Sequence, residues 1–194
     1  MLIVETNPLE VERALLAGEF ECPNCGGRLV PWWYGRWRLL RNRDGTEDRC
    51  RPRRARCTSC LVTHVLIPDD SLVRRRDSVE VIGEALTRSV AGVGFRKIAT
   101  ALGRPPETVR GWLRRCRSKA ESIRSHFVTW LHALDPVSGP LVPGGSPLGD
   151  AVEVIGRVGI AAVLSMGPRP PWSVASRLTN GLLLSNTSSP WLSP

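Results

Sequence analysis

Cys22-Pro23-Asn24-Cys25-Gly26-Gly27 and Cys57-Thr58-Ser59-Cys60 decide how this chain is read. Each is a CxxC pair, and a CxxC at a tight turn presents two thiolates to one ion. Two such turns brought together make a tetrahedral S4 cage of the kind that suits zinc. Gly26 and Gly27 fit the first turn, because glycine takes positive φ without a steric penalty. Cys22, Cys25, Cys57 and Cys60 are therefore the expected ligands of one structural zinc, with no position left for a reactive water. A redox role is the weaker reading, since two pairs occur and no βαβ pattern surrounds either. Cys50 and His64 stand outside the paired spacing. Either can replace a ligand in a Cys3His site, but a small buried thiol and an ordinary strand position are the simpler readings. Cys116 reads as helix packing.

Thirty-one residues separate the pairs, more than the ~15–20 of a compact ribbon. The insert reads as a hairpin. Leu29 to Leu40 is rich in strand formers, Asp44-Gly45 is a turn signal, and Arg49 to Arg56 returns. Leu61 to Ile67 follows the second pair as a third strand. Trp32, Trp33, Tyr34 and Trp37 are interleaved with arginines, an arrangement that can stack on bases and grip phosphate. So small a domain has little else to bury, so at least two of the tryptophans are expected in its core. Arg53 and Arg54 are expected at phosphates.

Beyond Pro68 the period changes from two to helical. Asp77 or Ser78 can cap a helix carrying Val79, Ile82, Leu86 and Val90 on one face. The stretch 91–94 breaks it, Phe95 to Leu102 makes a second helix, and Gly103 ends that one. Pro105-Pro106 suits the first turn of a third helix from Thr108 to Arg115. Two short helices joined by a three- or four-residue turn with Gly form the DNA-binding helix-turn-helix. Its core would be Ile98, Ala99, Leu102, Val109, Trp112 and Leu113. Its candidate DNA contacts are Arg96, Lys97, Arg104, Thr108, Arg110, Arg114 and Arg115.

Charge agrees with that partner. The chain has 25 Arg and 2 Lys and a net charge of +9. Residues 21–126 carry 23 basic and 11 acidic side chains, residues 1–20 are net negative at −3, and residues 127–194 are neutral. A positive charge confined to the middle of a chain is the electrostatic footprint of a phosphate binder. No stretch has the form of a signal peptide or a membrane span. A reducing cytoplasm, close to the nucleoid, is the expected setting.

Ile98-Ala99-x-x-Leu102-Gly103-Arg104-Pro105-x-x-Thr108-Val109-Arg110-x-Trp112-Leu113-Arg114-Arg115 resembles the helix-turn-helix of bacterial insertion-sequence transposases. The order of parts, CPxCGG, a basic stretch ending RxRCxxC, then His64 and an apolar strand, resembles their zinc-ribbon region. The layout is most similar to short uncharacterised actinobacterial proteins. The resemblance covers roughly residues 20–134, with a fainter echo from Pro171-Trp172 to Leu184. It implies recognition of double-stranded DNA without implying catalysis. A transposase nuclease domain needs well over a hundred residues and three separated carboxylates on metal ions. Only Asp135, Asp150 and Glu153 follow the helix-turn-helix, and 59 residues remain after Asp135.

Leu113, Cys116, Ala120, Ile123, Phe127, Trp130 and Leu134 are spaced by threes and fours, so the third helix is expected to run on to Leu134 as a heptad seam that can pair with a second copy as a homodimer or equally pack against the chain's own later helices. Residues 136–147 read as a Pro/Gly linker, and residues 148–184 as a small helical element. The expected fold is α+β: an N-terminal segment (1–19), a β zinc ribbon (20–70), an all-α helix-turn-helix with an extended third helix (75–134), a linker (135–147), a helical C-terminal part (148–184) and a disordered tail (185–194). The expected function is sequence-specific DNA binding, as a transcriptional regulator or the recognition part of a mobile element, not an enzyme. A transposase working with a catalytic partner chain and a protein-binding zinc-ribbon adaptor are the alternatives.

Overall fold

The computed structural model describes residues 1–143, 145–185 and 191. The fold is mixed α+β, with six strands and eight helices among the described residues. The expected tail therefore lies outside the described residues except for Ser185 and Trp191.

The hairpin between the cysteine pairs forms, split into two ladders. Strand β2 (Leu29–Tyr34) pairs antiparallel with β5 (Arg53–Cys57), and β3 (Arg38–Arg41) with β4 (Glu47–Cys50). Asp44-Gly45 makes the tip: Gly45 sits at φ 84° and the Thr46 N–H donates to Asp44 Oδ1 at 3.0 Å. Strand β6 (Thr63–Pro68) pairs antiparallel with the other side of β5.

Residues 1–19 belong to this sheet rather than lying apart from it. Strand β1 (Leu2–Val4) pairs parallel with β6, giving the order β1-β6-β5-β2. Helix α1 (Pro8–Ala17) follows; Asn7 caps it by accepting from the Leu9 N–H, and Gly18 ends it at φ 75°. Val4, Val11 and Leu15 from this segment meet Leu29, Ala55, Cys57 and Leu66 in the ribbon core. Expecting tryptophans there was wrong, because α1 supplies the apolar cover in their place. Trp32, Trp33 and Trp37 are all exposed.

The remaining helices share one core. They are α2 (Val79–Val90), α3 (Phe95–Leu102), α4 (Pro106–Arg117), α5 (Ala120–Leu134), α6 (Pro147–Ala161), α7 (Val163–Met166) and α8 (Pro171–Leu178). Ser78 caps α2 by accepting from Val81 N–H, and Ser146 caps α6 by accepting from Gly149 N–H. Ile82, Leu86, Ile98, Val109, Trp112, Phe127, Ile155 and Val174 lie in a single buried cluster. Residues 148–184 supply 11 of the 28 buried residues of this cluster.

The expected continuous third helix is two helices. Ser118 Oγ donates to the Arg115 carbonyl at 3.0 Å, and Lys119 leaves helical geometry at φ −122°. A serine hydroxyl that bonds back to its own turn competes with the helical ladder. The break aims α5 at α6, and the stripe Ala120, Ile123, Phe127 and Leu131 is buried within the chain's own core. Trp130 is only half-buried, so the heptad seam is not preserved.

Two polar ties lock the sheet to the helices. Asp69, buried, accepts from Arg169 at 2.8 Å, Arg177 at 2.7 Å and Thr6 Oγ1 at 2.8 Å, while Glu5 pairs with both arginines. Arg104, its side chain 7% exposed, pairs with buried Asp77 and donates to the Asn42 carbonyl at 2.9 Å. The β3–β4 hairpin is thereby held against the α3–α4 turn.

Two outcomes follow from this packing. A Cβ on Gly83 would overlap the Trp172 ring, whereas one on Gly156 meets nothing within 4 Å. Gly83→Ala should cost about 1–3 kcal/mol and Gly156→Ala should gain up to ~1 kcal/mol as a helix-interior replacement, both read from urea unfolding. Asp70 loses the competition for the arginines to Asp69, and its Oδ1 is buried without a partner among the described residues. Burial, then the Asp69 charge, push its carboxyl from 3.8 up to about 6. A folded-state pKa above the unfolded one gives stability that is full below pH ~4 and lost as pH rises through about 6. Relative to Asp70→Asn, the wild-type chain should lose roughly 2 kcal/mol between pH 4 and 7. Parallel pH profiles for the two proteins would reject this account.

Candidate functional site

Both cysteine turns are closed by a hydrogen bond from the first cysteine's N–H to the carbonyl five residues on. In the first, Cys22 N–H donates to Gly27 O at 2.8 Å and Gly26 N–H to Cys22 O at 2.8 Å, with Gly26 at φ 70°. In the second, Cys57 N–H donates to Val62 O at 2.9 Å, and Leu61, the residue after the last cysteine, stands at φ 62° where the first turn has Gly26. A leucine in the left-handed region is strained, and the surroundings must hold it there. Thr58 N–H reaches back to Arg28 O at 3.0 Å and ties one turn to the other. Gly27 permits the approach, because a Cβ there would stand 3.0 Å from Cys57 Sγ and closer still to Ser59 Oγ.

The four sulfurs expected from the sequence come together. Cys22 Sγ lies 3.7 Å from Cys60 Sγ, Cys25 Sγ lies 3.5 Å from Cys57 Sγ, and all four are within 4.8 Å of one another. Sulfurs about 2.3 Å from a tetrahedral ion are ~3.8 Å apart, so the donor set fits a metal ion. The N–H groups of Cys60 and Ser59 point at Cys57 Sγ at 3.5 and 3.4 Å and help bring that thiol down to about 6, toward the thiolate a metal needs.

His64 is the residue that the spacing argument underrated. It is buried, and its Nε2 lies 3.3 Å from Cys22 Sγ while Nδ1 accepts from the Met1 amine at 2.8 Å. It stands beside Cys22, outside the four-sulfur group that could hold an ion. A ligand sulfur carries residual negative charge, and an N–H aimed at it fixes its orientation. Strand parity carried the signal: His64 shares a face with Leu66, which is fully buried. Cys50 lies on β4 away from the cluster, and Cys116 is buried in the helical core, where burial pushes its thiol up to about 12.

The basic candidates divide into two groups. Arg53 is spent inside the sheet: it pairs with Glu12 at 2.7 Å, donates to Trp33 O and stacks on Tyr34 at 4.5 Å. Arg54 donates to Thr63 Oγ1 at 2.8 Å, and Arg104 is the buried tie already described. Arg53 and Arg104 thus meet carboxylates within the fold, while Arg54 is half-buried with one side-chain bond, to a hydroxyl, among the described residues. Arg96, Lys97, Arg110 and Arg114 are exposed, Thr108 is half-buried beside them, and Arg115 is half-buried toward Arg75. Among the described residues Arg110 keeps only an exposed pair with Glu107 at 3.5 Å.

Fold and site define a small α+β protein with a four-cysteine cluster of the kind found in zinc ribbons. Residues 22–112 match the model of a family described as a domain of unknown function, DUF6431. The match begins at the first clustered cysteine and ends at Trp112 in α4. No curated protein and no solved structure matches the chain.

The cluster predicts a metal stoichiometry. One ion per chain should be lost from Cys22→Ser, Cys25→Ser, Cys57→Ser and Cys60→Ser, with loss of the β2–β5–β6 structure, because binding free energy is folding free energy in so small a core. Cys50→Ser and Cys116→Ser should keep the ion. Elemental analysis beside circular dichroism checks this, and a full ion in the Cys25→Ser protein would show the assignment to be wrong.

Proposed function

We propose that this chain is a sequence-specific binder of double-stranded DNA in which α3 and α4 act as a helix-turn-helix and one structural zinc holds the ribbon together. The single observation that carries the reading is the division of α4 into two faces. Val109, Trp112, Leu113 and Cys116 are buried, while Arg110 and Arg114, one turn apart, are exposed. Residues 103–105 make the turn before α4, with Gly103 at φ 61°. Arg96 and Lys97 at the start of α3 are exposed where a first helix crosses the phosphate backbone. The resemblance to transposase recognition regions points the same way.

Zinc is the favoured metal because four thiolates in two CxxC turns match its preference for a closed tetrahedral sulfur site. The role of such a protein is recognition, as a regulator or as the DNA-reading part of a mobile element, in the cytoplasm near the nucleoid. Among the described residues no helix is long and apolar enough to cross a membrane. A dimer on two half-sites needs a surface other than the 113–134 stripe, which α6 covers.

Selection of bound fragments from genomic DNA supplies the site, and binding curves on selected and random duplexes test the roles. Arg110→Ala should cost ~1–3 kcal/mol on the selected duplex and little on random DNA. Arg96→Ala should weaken both alike and flatten the salt slope by about one unit. With about six phosphates engaged, affinity should fall ~10³-fold between 50 and 200 mM salt. An affinity indifferent to salt, or an unchanged preference in Arg110→Ala, would falsify the reading.

A further inference from the structure

Strand β2 is an edge of the sheet, and its register shifts between Pro31 and Trp33. From there outward the rings face solvent: Trp32 is 50% exposed, Tyr34 44%, and Trp33 and Trp37 64% each. The ribbon core is complete without them. Four large rings left exposed along one sheet edge mark a candidate binding site.

The surrounding charge says what the site takes. Arg56 lies over the Trp32 ring at 4.7 Å, and Arg51 stands 5.3 Å from Tyr34 and 5.9 Å from Trp37. Trp37 also forms one wall of a cleft of about 320 Å³ in which four of the six lining residues are arginines (Arg38, Arg74, Arg75 and Arg76) and none is acidic. Arg75 donates an Nη2 hydrogen to the Leu184 carbonyl at 2.7 Å, while its Nε is buried without a partner among the described residues. Burial and then the nearby Arg115 of α4 lower its guanidinium below the ordinary range. The cleft therefore lies on the side of the hairpin that faces α4. An apolar protein surface would leave these arginines uncompensated. A polyanion with flat rings satisfies both features. In a duplex the base faces are already stacked on one another, so only unpaired bases can meet these rings.

We propose that the β2 edge holds unpaired nucleotides, with bases stacked on Trp33 and Trp37 and phosphates in the Arg74–Arg76 cleft. The preferred ligand is then a duplex bearing a single-stranded extension, a form that rests on the duplex reading of α4. The stacking site itself does not depend on that reading.

The full metal-loaded chain is titrated with the selected duplex, blunt or carrying a tail of roughly 12 nucleotides, and with the same tail alone as DNA and as RNA. The tail should tighten duplex binding about tenfold or more and quench tryptophan fluorescence. Trp33→Ala should abolish the gain and leave blunt-duplex affinity, metal content and circular dichroism unchanged, and Trp33→Phe should restore most of the gain. Stronger binding of the DNA or of the RNA tail identifies the source of the strand. A tail that adds nothing, or a gain that survives in Trp33→Ala, overturns this inference while the duplex reading stands. Tails that bind and quench in a Trp33-dependent way, beside a blunt duplex that does not bind, overturn the duplex reading and leave the stacking site.

Discussion

Four thiol sulfurs within 4.8 Å of one another cannot all ionise without a cation between them. That crowding is the constraint on which the N-terminal half depends. The sulfurs come from two turns separated by a long hairpin, so the sheet has to close before the cluster exists. Once closed, the cluster holds the ends of β2 and β5 together at the point where Leu29 opposes Cys57. The apolar core beneath is small, built from Val4, Val11, Leu15, Leu29, Ala55 and Leu66. Cores of that size rarely suffice without a metal or a cross-link. The strained Leu61 turn and the close pass of Gly27 are tolerable because the site over-determines them.

The second half is held to the first by charge. Asp69 and Glu5 take Arg169 and Arg177 from the far end of the chain, and Asp77 takes Arg104. Buried pairs of this kind add little net stability over apolar packing, but removing one partner leaves an uncompensated charge. They specify register: the sheet sits in one place on the helices. The same pairs sort the arginines. Those that meet a carboxylate inside the fold are structural, and exposed arginines on α3 and α4 give the surface its positive field.

That sorting has a geometric result. Arg75 of the Trp37 cleft lies near Arg115 of α4, and Arg104 ties the hairpin to the α3–α4 turn. On the proposed reading, a rigid junction would let both surfaces act on one ligand without a linker cost on binding.

The sequence by itself determined what is local. The four clustered cysteines, the Asp44-Gly45 tip, the Ser78 and Ser146 caps and the Gly103 stop before Pro106 are set by spacing and by φ/ψ preference within a few residues. Each is where the chain alone placed it. Tertiary structure decided everything that depends on a partner distant in sequence. Arg53, Arg54 and Arg104 look like any exposed arginine until Glu12, Thr63 and Asp77 are seen beside them. Tryptophans expected in the core lie outside because α1, from a segment with only three apolar strand residues, fills their place. The seam from Leu113 to Leu134 has the period of a dimer helix, yet period cannot say which surface covers it; α6 does, after the chain breaks at Ser118. His64 shows the limit most plainly, since strand parity gives its direction and only the folded sheet brings Cys22 against it.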